Sequence, residues 1–158
     1  MVSAPDPARP VSLTFEVADA INGAIRTVSI KHRARAAAML AELGLHPGQE
    51  AVLLQLDAHG PQNQRQLAAA ARCEPPSITV MVRKLEAAGL VERHTSADDA
   101  RAQVVSLTDH GRHVNRRLRQ LWLELAELTV SNLRGVTVDE TIRVLSAVAA
   151  SLQESVVE

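Results

Sequence analysis

Between Pro75 and Ala88, four residues recur at helical spacing on one stripe: Ser77, Val80, Arg83 and Lys84, with Thr79 at its edge. A hydroxyl can bond to bases or phosphates, an arginine can grip a planar acceptor pair bidentately, and a lysine supplies a point charge. Such a set suits an anionic partner with acceptor-rich edges. A lone exposed arginine is ordinarily a solvated charge, so the stripe acquires meaning only from the elements that hold it. A second set is His110 and His113, three residues apart, a spacing that can put two metal ligands on one helix face, with His46 or His32 as further donors. Two histidines three apart are common by chance, and no carboxylate pairs obviously with them, so the reading is that no metal is bound. Cys73 stands alone, which excludes an internal disulfide and any multi-cysteine zinc or iron-sulfur site; it reads as a small apolar residue.

Catalytic signatures are missing. The chain has no Gly-rich phosphate loop, no His-Glu-x-x-His and no nucleophile elbow, so the expectation is a non-enzyme without a cofactor. At 158 residues with 46% apolar and 22% charged side chains, one globular domain is the default. Phe15 and Trp122 are its only aromatics, while Ala, Leu and Val dominate, which favours packed helices over a sandwich of strands. No apolar run is long enough for a membrane span and the N-terminus lacks a signal-peptide pattern, so a cytoplasmic protein is expected. The net charge of −1 conceals an asymmetry. Residues 61–120 carry ten basic against six acidic groups, hence +4, whereas residues 1–60 sum to −1 and residues 121–158 to −4. An anionic partner would meet the middle third.

The elements follow from periodicity and stop signals. Residues 1–10, with Pro5, Pro7 and Pro10, read as a disordered lead-in. A long helix then places Val17, Ile21, Ile25, Val28, Ala36, Met39, Leu40 and Leu43 roughly on one face and ends at Gly44. Its Lys31, His32, Arg33 and Arg35 read as a solvated stretch. Pro47 suits the first position of a second helix, which turns Val52, Leu53 and Leu56 inward and stops at Gly60. Asn63 and Gln66 form a capping-box pattern for a short third helix through Leu67 and Ala71. After Arg72-Cys73-Glu74, Pro75 and Pro76 open a fourth helix, closed by Gly89, whose inner stripe is Ile78, Met81, Val82 and Leu85. The period then changes to two: Leu90–His94 and Gln103–Leu107 read as strands around the polar loop Thr95–Ala102. Thr108 caps a fifth helix of about 25 residues, whose Val114, Leu118, Leu121, Leu125 and Leu128 step 4-3-4-3 like a coiled-coil seam. A last helix, from about Thr137, repeats that stripe with Ile142, Leu145, Val148, Leu152 and Val156.

Short helix, tight turn, helix and hairpin is the order of a winged helix-turn-helix, in which the second helix enters a DNA major groove and the hairpin tip reaches the minor groove or the backbone. The predicted fold class is mainly α with a small β-hairpin wing: residues 47–108 as the winged lobe of a single domain spanning 11–158, flanked by dimerisation helices at 11–43 and 109–158. Several local motifs sharpen this. Gly44-Leu45-His46-Pro47-Gly48-Gln49-Glu50, Leu67-Ala68, Pro76-Ser77-Ile78-Thr79, Leu85-Glu86-Ala87-Ala88-Gly89-Leu90-Val91-Glu92-Arg93 and Val105-Ser106-Leu107-Thr108-Asp109-His110-Gly111 together resemble the MarR family of bacterial transcriptional regulators.

The resemblance implies a cytoplasmic homodimer with interlocked terminal helices, each winged lobe reading half of a pseudo-palindromic duplex DNA operator, and repression relieved by a small-molecule effector. By position, Ser77, Thr79, Val80 and Arg83 would face the groove, with Lys84 on phosphate. The family's wing pattern, Asp-x-Asp-Arg-Arg, falls here on Ala97-Asp98-Asp99-Ala100-Arg101: Asp98 and Asp99 would support the wing and Arg101 would enter the minor groove, while Ala100 departs from the pattern. The effector pocket expected between the first, second and fifth helices would be lined by Ile25, Ser29, His32, Arg33, Val52 and Leu56; the plain alternative is that these residues pack as core. Another alternative for the chain is a winged helix serving as a protein-protein or dimerisation module without sequence-specific DNA binding.

Overall fold

In the computed structural model the described residues are 12–95 and 103–153. The proline-rich lead-in at 1–10 and Val156 lie outside them. The chain forms α1 (Phe15–Ala41), α2 (Gln49–His59), α3 (Gln64–Ala71), α4 (Pro75–Ala87), β1 (Val91–Thr95), β2 (Gln103–Leu107), α5 (Asp109–Val130) and α6 (Val138–Gln153). Boundaries follow local chemistry. Thr14 caps α1 through its side chain, and Thr108 caps α5 by accepting from Gly111 N at 2.9 Å. The capping box at α3 is reciprocal, with Asn63 Oδ1 accepting from Gln66 N and Gln66 Oε1 accepting from Asn63 N, both at 2.9 Å. A similar box opens α6: Thr137 N donates to Glu140 Oε2 at 2.8 Å and Glu140 N to Thr137 Oγ1 at 3.2 Å. The Thr137 backbone N–H, then its hydroxyl, holds the Glu140 carboxyl below its ordinary range.

The second helix starts later than Pro47 suggests. Gly48 is its N-cap at φ 98°, a left-handed conformation that favours glycine, and Pro47 precedes the cap. The Gln49 side chain closes the turn by accepting from His46 N at 2.8 Å.

One core holds the winged lobe. Val52, Leu53 and Leu56 of α2, Leu67 and Ala68 of α3, and Ile78, Val82 and Leu85 of α4 pack with Leu90, Val91, Val105 and Leu107 of the hairpin and Leu118 of α5. The strands pair antiparallel from Val91 opposite Leu107 to Thr95 opposite Gln103. Gln62 adds a bridge to Val105 from the segment before α3, its N donating to Val105 O at 3.0 Å and its O accepting from Val105 N at 2.8 Å. A smaller cluster joins Met39 of α1 to Leu121 and Leu125 of α5.

That second cluster corrects the seam reading of α5. Leu118, Leu121 and Leu125 are at most 4% exposed within a single chain, because the lobe and α1 already cover them; only Leu128 stays open. The opposite holds for α6, where Ile142, Leu145, Val148 and Leu152 are all exposed and none of the described residues is buried. Along α1 the same is true of Phe15, Val17, Ile21, Ile25 and Val28.

Candidate nucleic-acid interface

The helix-turn-helix is built by α3 and α4 packed through Leu67, Ala68, Ile78 and Val82. Their connection is tight because Arg72 adopts a left-handed backbone, φ 50° and ψ 46°, and Cys73 N donates back to Ala68 O at 3.1 Å. Cys73 is half-buried against the lobe's core, in keeping with an apolar role. Glu74 is the N-cap of α4 and Pro75 occupies the first helical position, which needs no N–H.

With Ile78, Val82 and Leu85 buried, the opposite face of α4 must point outward. Ser77, Val80, Arg83 and Lys84 are exposed there, and neither cation has an ion-pair partner among the described residues. Arg65 and Arg72 are exposed and unpaired on the same helix-turn-helix. The sequence reading passed them over because each lies outside the α4 stripe.

Thr79 is corrected. It is half-buried, and its hydroxyl lies 2.9 Å from Gln64 Oε1 of α3 and 3.0 Å from Pro75 O, so it ties the two helices together instead of facing a groove. Its partner is 15 residues away in sequence, beyond the reach of helical spacing arguments.

The hairpin is braced against α4 by Arg93 Nε and Glu86 Oε2 at 3.3 Å. Asp98, Asp99, Ala100 and Arg101 lie outside the described residues. The base of the wing is locked to α5 by the Leu107-Thr108-x-x-Gly111 segment. Thr108 N donates to Leu90 O at 3.1 Å, Thr108 Oγ1 to Gly89 O at 2.6 Å, and Arg112 Nη1 to Leu107 O at 2.7 Å.

The expected effector set does not converge. Ser29 and Arg33 line a cleft of about 480 Å³ beside Pro47, together with Arg26. His32 lines another, of about 710 Å³, with Lys31, Arg35, Val28 and Leu125. Ile25 lines neither, and Val52 and Leu56 are core residues at 0% and 3% exposure. The physical reason is rotational: α2 spends its inward stripe on the lobe, and at about 100° per residue His32 and Arg33 cannot face the same side of α1. His110 and His113 are exposed, and His113 Nδ1 lies 3.3 Å from Arg116 Nη2. Neither His46 nor His32 completes a set: among the described residues no group of three or more His, Cys, Asp or Glu could hold a metal ion.

Fold and site together define a winged helix-turn-helix protein with long helices on either side of the lobe. Residues 45–102 match the model of the MarR family. The chain is similar to a probable transcriptional regulator from Pseudomonas aeruginosa, at 27% identity, TM-score 0.71, covering 86% of this chain and 98% of that one. It is also similar to the transcriptional repressor CouR bound to a 23-mer DNA duplex, at 28% identity, TM-score 0.72, covering 90% and 99%. The fold is shared with Bordetella bronchiseptica BpsR, whose DNA binding is regulated by 6-hydroxynicotinic acid, at 17% identity and TM-score 0.68, covering 84% and 98%. The winged lobe thus matches the MarR family, and the chain around it is similar in fold to solved transcriptional regulators. No helix among the described residues is long and apolar enough to cross a membrane.

Proposed function

We propose that the protein is a cytoplasmic repressor that binds a pseudo-palindromic duplex operator as a homodimer, with 47–108 as the DNA-reading lobe and the helices of 11–43 and 109–158 as the dimerisation arms. The observation that carries this reading is the outward stripe of α4, where Ser77, Arg83 and Lys84 stand exposed on a helix whose other face is anchored in the core. A fixed helix holds its side chains in register with base edges. Arg83 reads a base, Lys84 neutralises phosphate, and Arg101, supported by Asp98 and Asp99, reaches the minor groove.

The test is selection of bound duplexes from a random library, followed by titration of two variants. Arg83→Ala loses roughly 1 to 3 kcal/mol on the selected operator and relaxes one base position per half-site. Lys84→Ala weakens selected and random duplexes alike and makes the dependence of log affinity on log salt shallower by about 0.9 per lost phosphate contact. Equal losses for Arg83→Ala on both duplexes oppose base reading, and failure to select any duplex favours the protein-protein module.

Relief by an effector is part of the same proposal. Both clefts flanking α1 pair cations with apolar walls, Arg26 and Arg33 in one, Lys31 and Arg35 in the other, a combination suited to a small aromatic acid. An acid that favours one spacing of the two lobes lowers operator affinity by its differential binding to the two states. Fluorescence-anisotropy release of labelled operator by a panel of aromatic acids is expected, and Arg33→Ala or Arg35→Ala identifies the cleft. Release by none of them leaves a constitutive binder.

A further inference from the structure

Val80 is the one large hydrophobic side chain that the winged lobe exposes among the described residues, at 49%. Every other exposed large hydrophobic residue lies on α1, α5, α6 or the segments beside them. Its position on α4 makes it more than a stray apolar group. At about 100° per residue, Val80 lies opposite the buried stripe of Ile78, Val82 and Leu85, at the centre of the outward face. Pro76 precedes it by one turn on the same line, Arg83 flanks it on one side, and Lys84 and Ser77 flank it on the other. The face is therefore apolar along its midline and polar along its edges.

Hydrogen-bond donor capacity at the N-terminal half of α4 is nearly exhausted. Pro75 and Pro76 have no N–H, and the N–H groups of Ser77 and Ile78 both donate to Glu74 O, at 2.9 and 3.2 Å. The Thr79 hydroxyl is engaged by Gln64. As a donor only the Ser77 hydroxyl remains; the Thr79 oxygen and the acidic Glu74 can only accept, and Glu74 repels phosphate. A recognition helix presents its N-terminal residues to base edges, and the apolar feature those edges offer in the major groove is the C5-methyl of thymine.

We infer that Val80 reads a thymine methyl, so that each operator half-site carries an A·T pair in fixed register with the base contacted by Arg83. The inference rests on the DNA-reading function proposed above. It assigns to the midline of α4 a selectivity that its charged edges do not provide.

The experiment uses the full chain and the duplex it selects. Each thymine is replaced in turn by deoxyuridine, which removes the methyl and keeps the base pairing. One thymine per half-site responds, weakening binding about fourfold, the worth of one buried methyl-sized group, and about fifteenfold when both half-sites are changed. Val80→Ala binds thymine and deoxyuridine operators equally at that position, whereas Arg83→Ala retains the discrimination. The inference is overturned if no thymine responds, or if the responding thymine discriminates as strongly in Val80→Ala as in the parent chain. A chain that selects no duplex at all overturns the DNA-reading function, and this inference with it.

Discussion

Gly23→Ala raises the melting temperature and Gly111→Ala lowers it, although both replace a glycine by the best helix former inside a helix. Intrinsic propensity favours alanine by roughly 1 kcal/mol at each site. At Gly23 a Cβ meets nothing within 4 Å, so the propensity gain survives, and a rise of about 2 to 4 °C is expected. At Gly111 the added Cβ overlaps the Leu90 carbonyl oxygen and lies 2.9 Å from its carbon. Those are backbone atoms, and Leu90 O already accepts from Thr108 N, so no side chain can swing aside. The start of α5 has to move off the base of the wing, breaking the Thr108 bonds to Leu90 and Gly89. Overpacking of this kind costs about 1 to 3 kcal/mol or more, and with shared backbone hydrogen bonds at stake we expect the upper end, a drop of roughly 10 °C. Circular-dichroism melts of the two variants beside the parent check this; shifts of the same sign would show that the contact at Leu90 is not structural.

The second large effect is on assembly. Ile142→Asp with Leu145→Asp should convert a particle of twice 17.0 kDa into one of 17.0 kDa by light scattering at micromolar concentration. Both side chains are 58% exposed within one chain, on a helix with no fully buried side chain among the described residues, so their apolar stripe has no intrachain reason to exist. The matching uncovered stripe on α1, from Val17 to Val28, supplies a second surface, and a two-fold dimer would bury both. Two carboxylates placed in such an interface cost several kcal/mol. Ala150→Asp, on the far side of α6, should leave the dimer intact. Leu121→Asp must behave differently: Leu121 is 1% exposed against Met39 inside the chain, so its charge unfolds the α1–α5 junction and lowers the helical signal itself. A double α6 variant that remains at dimer mass would move the interface elsewhere.

The signals that proved readable without coordinates were local ones. The α3 capping box, the Pro-Pro start of α4, the period-two run of β2 and the Thr108 cap each involve residues within four positions of one another, and each stands where spacing placed it. The strand after α4 begins at Val91, one residue later than Leu90, because Leu90 is held in the turn by its N–H to Leu85 O at 2.9 Å. Gly48 displaced the start of α2 for a related reason, since a left-handed residue outranked the preference of Pro47 for a first turn.

What the amino-acid sequence determined by itself was therefore the kind and order of the elements, their bounds to within a few residues, and which stripe of each helix is apolar, because hydrogen bonding, capping and periodicity act over a few residues. What only the tertiary structure decided was which neighbour covers each stripe. The 4-3 pattern is the same in α5 and α6, yet α5 is buried by its own chain and α6 is not. The same limit separated His32 from Ser29 and Arg33, sent Val52 and Leu56 into the core, and gave the Thr79 hydroxyl to Gln64. Helix rotation and packing are set by the summed burial of residues far apart in the chain, and no spacing rule within one helix carries that sum.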